Sequence, residues 1–165
     1  MPKIIPNQSG MDFIADNSLH IEDIEAYKNM GDGVRSVEFI RINNNRILLV
    51  EAKTSFPNPN NPDEDNKARF QCEINEICEK FIHSLNLFSS IEVGILETDY
   101  PAEFIKPKKV SLVFLLVIKN HEFEWCRPIK GKIEAELPLY LKQIWKPAVY
   151  VLNRQKAVEQ GFIVS

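Results

Sequence analysis

Ser36-Val-Glu38-Phe-Ile-Arg-Ile42, then Asn43-Asn44-Asn45, then Arg46-Ile-Leu-Leu-Val-Glu51-Ala-Lys53 is the stretch that decides the fold. Two β-branched, apolar runs flank three consecutive asparagines. Asparagine tolerates the left-handed backbone that tight turns need, so the stretch predicts a β-hairpin. With a two-residue loop at Asn44-Asn45, Asn43 pairs with Arg46. Glu38 then stands opposite Glu51, with Cβ atoms about 4.5–5.5 Å apart. Lys53 has the parity of Glu51 and projects from the same face. A three-residue loop would make Glu38 a near-diagonal neighbour instead. Like charges placed opposite one another repel, and a divalent cation between them would reverse that penalty.

The rest of that face is Ile40, Ile42, Ile47 and Leu49. A plain solvent-facing hairpin would show polar residues there. A mostly apolar face that ends in two acids and a lysine needs partners or a metal for its charges.

Upstream of the hairpin, residues 3–5 and 12–15 read as short edge strands. Asn17 or Ser18 caps a predicted helix from Leu19 to Met30, with Ile21, Ile24 and Tyr27 on one face, ended by Gly31-Asp32-Gly33. Downstream, Thr54 to Asn66 holds Pro57, Pro59 and Pro62 and reads as a loop. Phe70, Ile74, Ile77, Phe81, Leu85 and Phe88 step by three and four, which predicts a helix over 67–88 with one buried stripe. Val93 to Leu96 reads as a short strand. Val110 to Ile118 is a continuous apolar run, as expected of a central strand covered on both faces. Phe123 and Trp125 alternate with Glu122, Glu124 and Cys126 as in a strand. A helix over Gly131 to Ile144, bent near Pro138, a strand over Ala148 to Leu152 and an Asn153-capped helix to Gln160 complete the chain. The order is α/β, and nothing marks a boundary inside residues 1–165.

Ile47-Leu-Leu-Val-Glu51-Ala-Lys53-Thr-Ser resembles the Glu-x-Lys strand of the PD-(D/E)XK nuclease-like superfamily, and Ser36-Val-Glu38-Phe-Ile resembles the strand carrying that superfamily's first acid. The likeness runs from residue 19 to residue 118, and 119–165 is an extension beyond it. It implies a mixed central sheet flanked by helices, with a restriction-endonuclease-like αβββαβ core. It also implies that Glu38 and Glu51, with the Ala52 carbonyl, bind Mg²⁺ or Mn²⁺, and that Lys53 orients the attacking water or stabilises the pentavalent phosphate. Glu25 or Glu22 would add a ligand from the first helix, although a solvated helix face accounts for both acids as well. The substrate would be nucleic acid, DNA before RNA, and many nucleases of this kind act as homodimers. Two departures stand out: the first acid is Glu instead of the usual Asp, and no Pro-Asp dipeptide precedes it. Members of the superfamily also serve as inactive modules that bind protein or nucleic acid. A structural or dimerisation role for 119–165 is a third expectation.

Composition excludes several classes. With 165 residues, 44% hydrophobic and 26% charged, the chain suits one globular core. No stretch approaches the ~20 apolar residues that span a bilayer. Pro2, Lys3, Pro6, Asn7 and Gln8 interrupt any leader-like run, so a cytoplasmic location is expected. Cys72, Cys78 and Cys126 are odd in number and lack CxxC spacing, and His20, His83 and His121 lack ligand spacing. No GxxxxGK, GxGxxG or GxSxG occurs. The net charge is −3, yet residues 105–156 carry eleven Lys or Arg against four acids. That asymmetry suits cations on one side and a phosphate backbone on the other, and on charge alone two ordinary solvated surfaces are the simpler account.

Overall fold

The computed structural model describes residues 3–6, 8–97 and 109–165. Lys106 and Lys108 of the basic C-terminal part lie outside these. The hairpin forms as the asparagines predict. β4 (Phe39–Asn43) pairs antiparallel with β5 (Arg46–Lys53), and Asn43 lies opposite Arg46. Asn44 and Asn45 have φ of 47° and 63°, so both turn residues are left-handed, as a type I′ turn requires.

β5 is the centre of a five-stranded sheet. β3 (Ser18–Leu19) lies beyond β4. On the other side β6 (Ser111–Ile118) and then β7 (Ala148–Asn153) pair parallel, giving the order β3-β4-β5-β6-β7. The parallel pairs are bridged by helices: α2 (Glu64–Glu92) joins β5 to β6, and α3 (Phe123–Glu136) with α4 (Leu139–Ile144) joins β6 to β7. α2 and α3 cover one face, where Ile40, Ile47 and Leu49 meet Ile77, Phe81 and Ile129. Phe81 stacks on Phe114 at 4.6 Å and 5°. Each such buried side chain contributes roughly 1.5–3 kcal/mol.

The opposite face has its own core of Phe13, Phe39, Leu48, Val50 and Leu115. It is covered by α5 (Arg154–Glu159) and by β2 (Asp12–Ile14), which pairs with β1 (Ile4–Pro6) in a separate two-stranded sheet. Those two segments therefore pair with each other and do not edge the main sheet. Among the described residues, no helix is long and apolar enough to cross a membrane.

Five expectations need correction. There is no helix over 19–30. Leu19 pairs with Ile40 as strand β3, a 3₁₀ turn follows over Ile21–Asp23, and only α1 (Glu25–Lys28) is α-helical. The sheet edge recruits the backbone that a lone amphipathic turn would otherwise use, and Ile24 at ψ 126° breaks the run. Val93–Leu96 is not a strand: α2 runs on to Glu92 and ends in a Schellman turn. Gly94, at φ 77°, donates to the Ile91 carbonyl and Ile95 donates to that of Ser90. Residues 122–126 do not form a strand, because Phe123 opens α3. The buried stripe Cys126, Ile129 and Ile133 carries that helix through Pro128 and Gly131. What reads as one bent helix over 131–144 is two, because Pro138 stands at the N-cap of α4. α2 also starts three residues early, where the Asp63 side chain accepts the Asn66 amide at 3.1 Å.

The hairpin turn is the local test. Replacing Asn45 by valine is expected to lower the unfolding free energy by about 1–3 kcal/mol, because a β-branched residue is forced to positive φ. Asn45→Gly is expected to hold or raise it. Urea denaturation midpoints of the two variants would check this.

Candidate functional site

Glu51 is the one acid of the central strand, and it is 1% exposed. Its parity with Ile47 and Leu49 turns it to the α2 face. There Lys80 reaches its Oε1 at 2.6 Å, while Oε2 is buried without a hydrogen-bond partner. Burial in the apolar layer raises its pKa to about 7. The charge and hydrogen bond of Lys80 oppose the rise, Glu38 adds to it and Lys53 opposes it.

Lys53, two residues on, projects from the same face. It contacts Glu73 at 3.0 Å and Glu76 at 3.2 Å, both on α2. Burial lowers the Lys53 pKa, but the hydrogen bond and charge of Glu73, with those of Glu76, outweigh it and hold the pKa above its ordinary value. Glu76 lies 3.9 Å from Lys80 and 3.4 Å from Arg35, which also reaches Glu79 at 3.4 Å. The charges form one seam between the end of the hairpin and the middle of α2.

Glu38 flanks this seam. The last rung of the ladder is Phe39 with Val50, and the Glu38 amide donates to the Val50 carbonyl at 3.0 Å. Glu38 is thus one step past the ladder, half-buried, close enough for its charge to act on Glu51. The preceding chain is pinned to α2: the Val37 amide donates to Ser84 Oγ at 2.8 Å and the Arg35 amide to His83 Nδ1 at 3.0 Å. Ala52 is buried on the opposite face. Its carbonyl, by alternation along the strand, turns to the side of Val50's, beyond the last rung.

The structure therefore brings the charges of Glu38 and Lys53 to bear on Glu51, with Ala52 between Glu51 and Lys53 on the same strand. It does not bring in Glu25, which is exposed at the start of α1 and is not among the charges that act most strongly on Glu51. Glu22 is likewise exposed. Glu73, Glu76 and Lys80 are the residues that the hairpin argument missed. Their spacing of three and four along α2 puts them on one side of the helix, beside the apolar stripe.

Two carboxylates and a carbonyl are hard donors of the kind Mg²⁺ takes, since that ion uses one or two carboxylates and keeps several waters. The unpartnered Glu51 Oε2 fits that use. Among the described residues, no group of three or more His, Cys, Asp or Glu side chains is gathered to hold a metal. No family model, curated protein or solved structure matches the chain.

The raised pKa has a consequence for stability. Glu51 titrates near 7 in the fold and near 4.5 when exposed. The folded state thus favours its protonated form, so this group's contribution is full below pH 4.5 and is lost as pH rises to about 7. The loss is on the order of 3 kcal/mol. Glu51→Gln removes this slope. Thermal melts of both proteins between pH 4.5 and 8 should diverge, with wild type falling relative to the variant; parallel curves would mean that Lys80 keeps Glu51 ionised throughout.

Proposed function

We propose that this chain is a metal-dependent phosphodiesterase of the PD-(D/E)XK nuclease-like kind, acting on nucleic acid, DNA before RNA, at the Glu38–Glu51–Lys53 cluster. The observation that carries the reading is the buried, unpartnered Oε2 of Glu51, beside a second carboxylate and on the face that presents Lys53. A buried carboxylate oxygen without a partner is costly, and a ligand-binding role accounts for it. The sheet also supports the reading in part: an antiparallel run β3-β4-β5, a long helix and a parallel β6 follow one another.

In this reading Glu51 and Glu38 bind Mg²⁺ or Mn²⁺ with the Ala52 carbonyl. The ion, when bound, supplies a water of lowered pKa and draws charge from the phosphoryl oxygens. Lys53 remains protonated at neutral pH, so it serves as a fixed cation and not as a base. Glu73 and Glu76 orient its ammonium, and a phosphate entering the site competes with them for it. Charge that develops only in the transition state is what such a preorganised cation stabilises.

A second reading has its own support. Glu51 and Lys53 already hold ion pairs to α2, as a purely structural seam would. A non-catalytic module of the same fold, binding protein or nucleic acid, needs nothing more from them.

Calorimetry separates the two. Wild type is expected to bind Mn²⁺, and Glu51→Gln to lose at least tenfold in affinity. Cleavage of labelled DNA in Mn²⁺ should disappear in Lys53→Ala while circular dichroism shows the fold retained. Wild type that binds no Mn²⁺ at millimolar concentration would leave the binding module as the better reading.

A further inference from the structure

The two edges of the central sheet are unlike. β3 offers two residues, whereas β7 offers six, Ala148-Val-Tyr-Val-Leu-Asn153, in unbroken parallel register with β6. Among the described residues, no strand pairs with the other side of β7. Natural edges are blunted by shortness, Lys, Pro or bulges, and β7 contains none of these. It presents a row of main-chain donors and acceptors already in strand geometry, and another main chain is what satisfies such a row.

A groove of about 810 Å³ runs along this edge. Phe123, Arg127 and Lys130 of α3 form one wall, and Tyr150 and Arg46 contribute on the other side. Among the described residues that line it, Glu124 is the one acid, against the three cations Arg46, Arg127 and Lys130. Arg46 and Arg127 make no ion pair among the described residues, and Lys130 reaches Glu134 at 3.8 Å in an exposed pair of little strength.

We propose that this groove docks an extended acidic peptide, which adds to the sheet as a strand beside β7. Side chains of an added strand alternate between the two faces. Acids on one face would meet Arg127 and Lys130. Those on the other turn toward Tyr150, on whose side Arg46 lines the groove. A second copy is disfavoured, because pairing β7 with itself brings the same cations together. Nucleic acid would find cations and rings in the groove but nothing to complete the open ladder. The site is independent of the metal-dependent reading: Val151 lies two strands across from Glu51, through Leu116.

The probe is a fluorescein-labelled peptide of about ten alternating Glu and Val residues, titrated with the full chain in EDTA so that no metal chemistry contributes. Anisotropy should show saturable binding, weakened at least tenfold by the pair Arg127→Glu and Lys130→Glu, both exposed on α3. Circular dichroism checks that this variant is folded. Hydrogen exchange of the 148–153 amides in wild type should slow when the peptide binds. The proposal is overturned by equal affinity of both proteins, by unchanged exchange in β7, or by no saturable binding up to about 1 mM, a limit of roughly 4 kcal/mol. Binding of labelled oligothymidylate, lost in the same variant while the peptide fails to bind, would overturn it in favour of nucleic acid.

Discussion

The register of β5 is the constraint on which the other elements depend. Every one of its eight residues pairs with β6, and five also pair with β4. Its odd-numbered side chains feed the core under α2 and α3, and its even-numbered ones feed the core under β2 and α5. A slip of one residue would exchange the two sets. Glu51 and Lys53 would then enter a layer of Phe13, Phe39 and Leu115, with no cation or acid of α2 to receive them. The asparagine turn is what prevents this: its two left-handed residues fix the pairing sum on which the faces depend.

That register concentrates charge where the fold is least able to solvate it. A buried ion pair recovers its desolvation cost only with good geometry and with its remaining atoms satisfied. Glu51 meets the first condition through Lys80 and fails the second at Oε2. Lys53 is better served, with two acids and partial exposure. The seam is thus asymmetric, with a well-stabilised ammonium beside a carboxylate that the apolar layer pushes toward neutrality. An apolar pair at these positions would pack the same space without either cost. The charges therefore cost the fold more than an apolar pair would, and that cost falls on Glu51.

Much of this was legible because the signals were local and strong. Three asparagines between two apolar runs give the hairpin and the shared face of Glu51 and Lys53, while its register depended on the loop length, which Asn44 and Asn45 at positive φ decide. The three-and-four stepping from Ile74 to Phe88 gives α2, and the unbroken run to Ile118 gives β6. The failures came where long-range pairing overrode a local pattern, as when β4 drew Leu19 into a sheet, or where one residue decided the outcome, as Gly94 did at the end of α2. Pro128 and Gly131 look like helix breakers, yet Cys126, Ile129 and Ile133 bury enough surface to carry α3 across them. The partners of Glu51 and Lys53 were hidden for another reason. Lys80 and Glu76 differ from ordinary solvated helix charges only in facing a particular strand, and no periodicity within α2 says which strand lies beneath it.

The two kinds of pairing around β5 also differ in what they demand of the unfolded chain. The ladder to β4 closes through a two-residue loop, whereas the ladder to β6 joins residues as distant in sequence as Arg46 and Ser111. Loop-closure entropy makes the first contact cheap and the second slow. The hairpin can therefore form while α2 is still undocked, with Glu51 exposed to water and fully ionised at neutral pH. The docking of α2 is the step that strips that carboxylate of solvent. The barrier to assembling this sheet should thus contain an electrostatic component set by one side chain, and the folding rate should carry a pH dependence that the hairpin alone does not have.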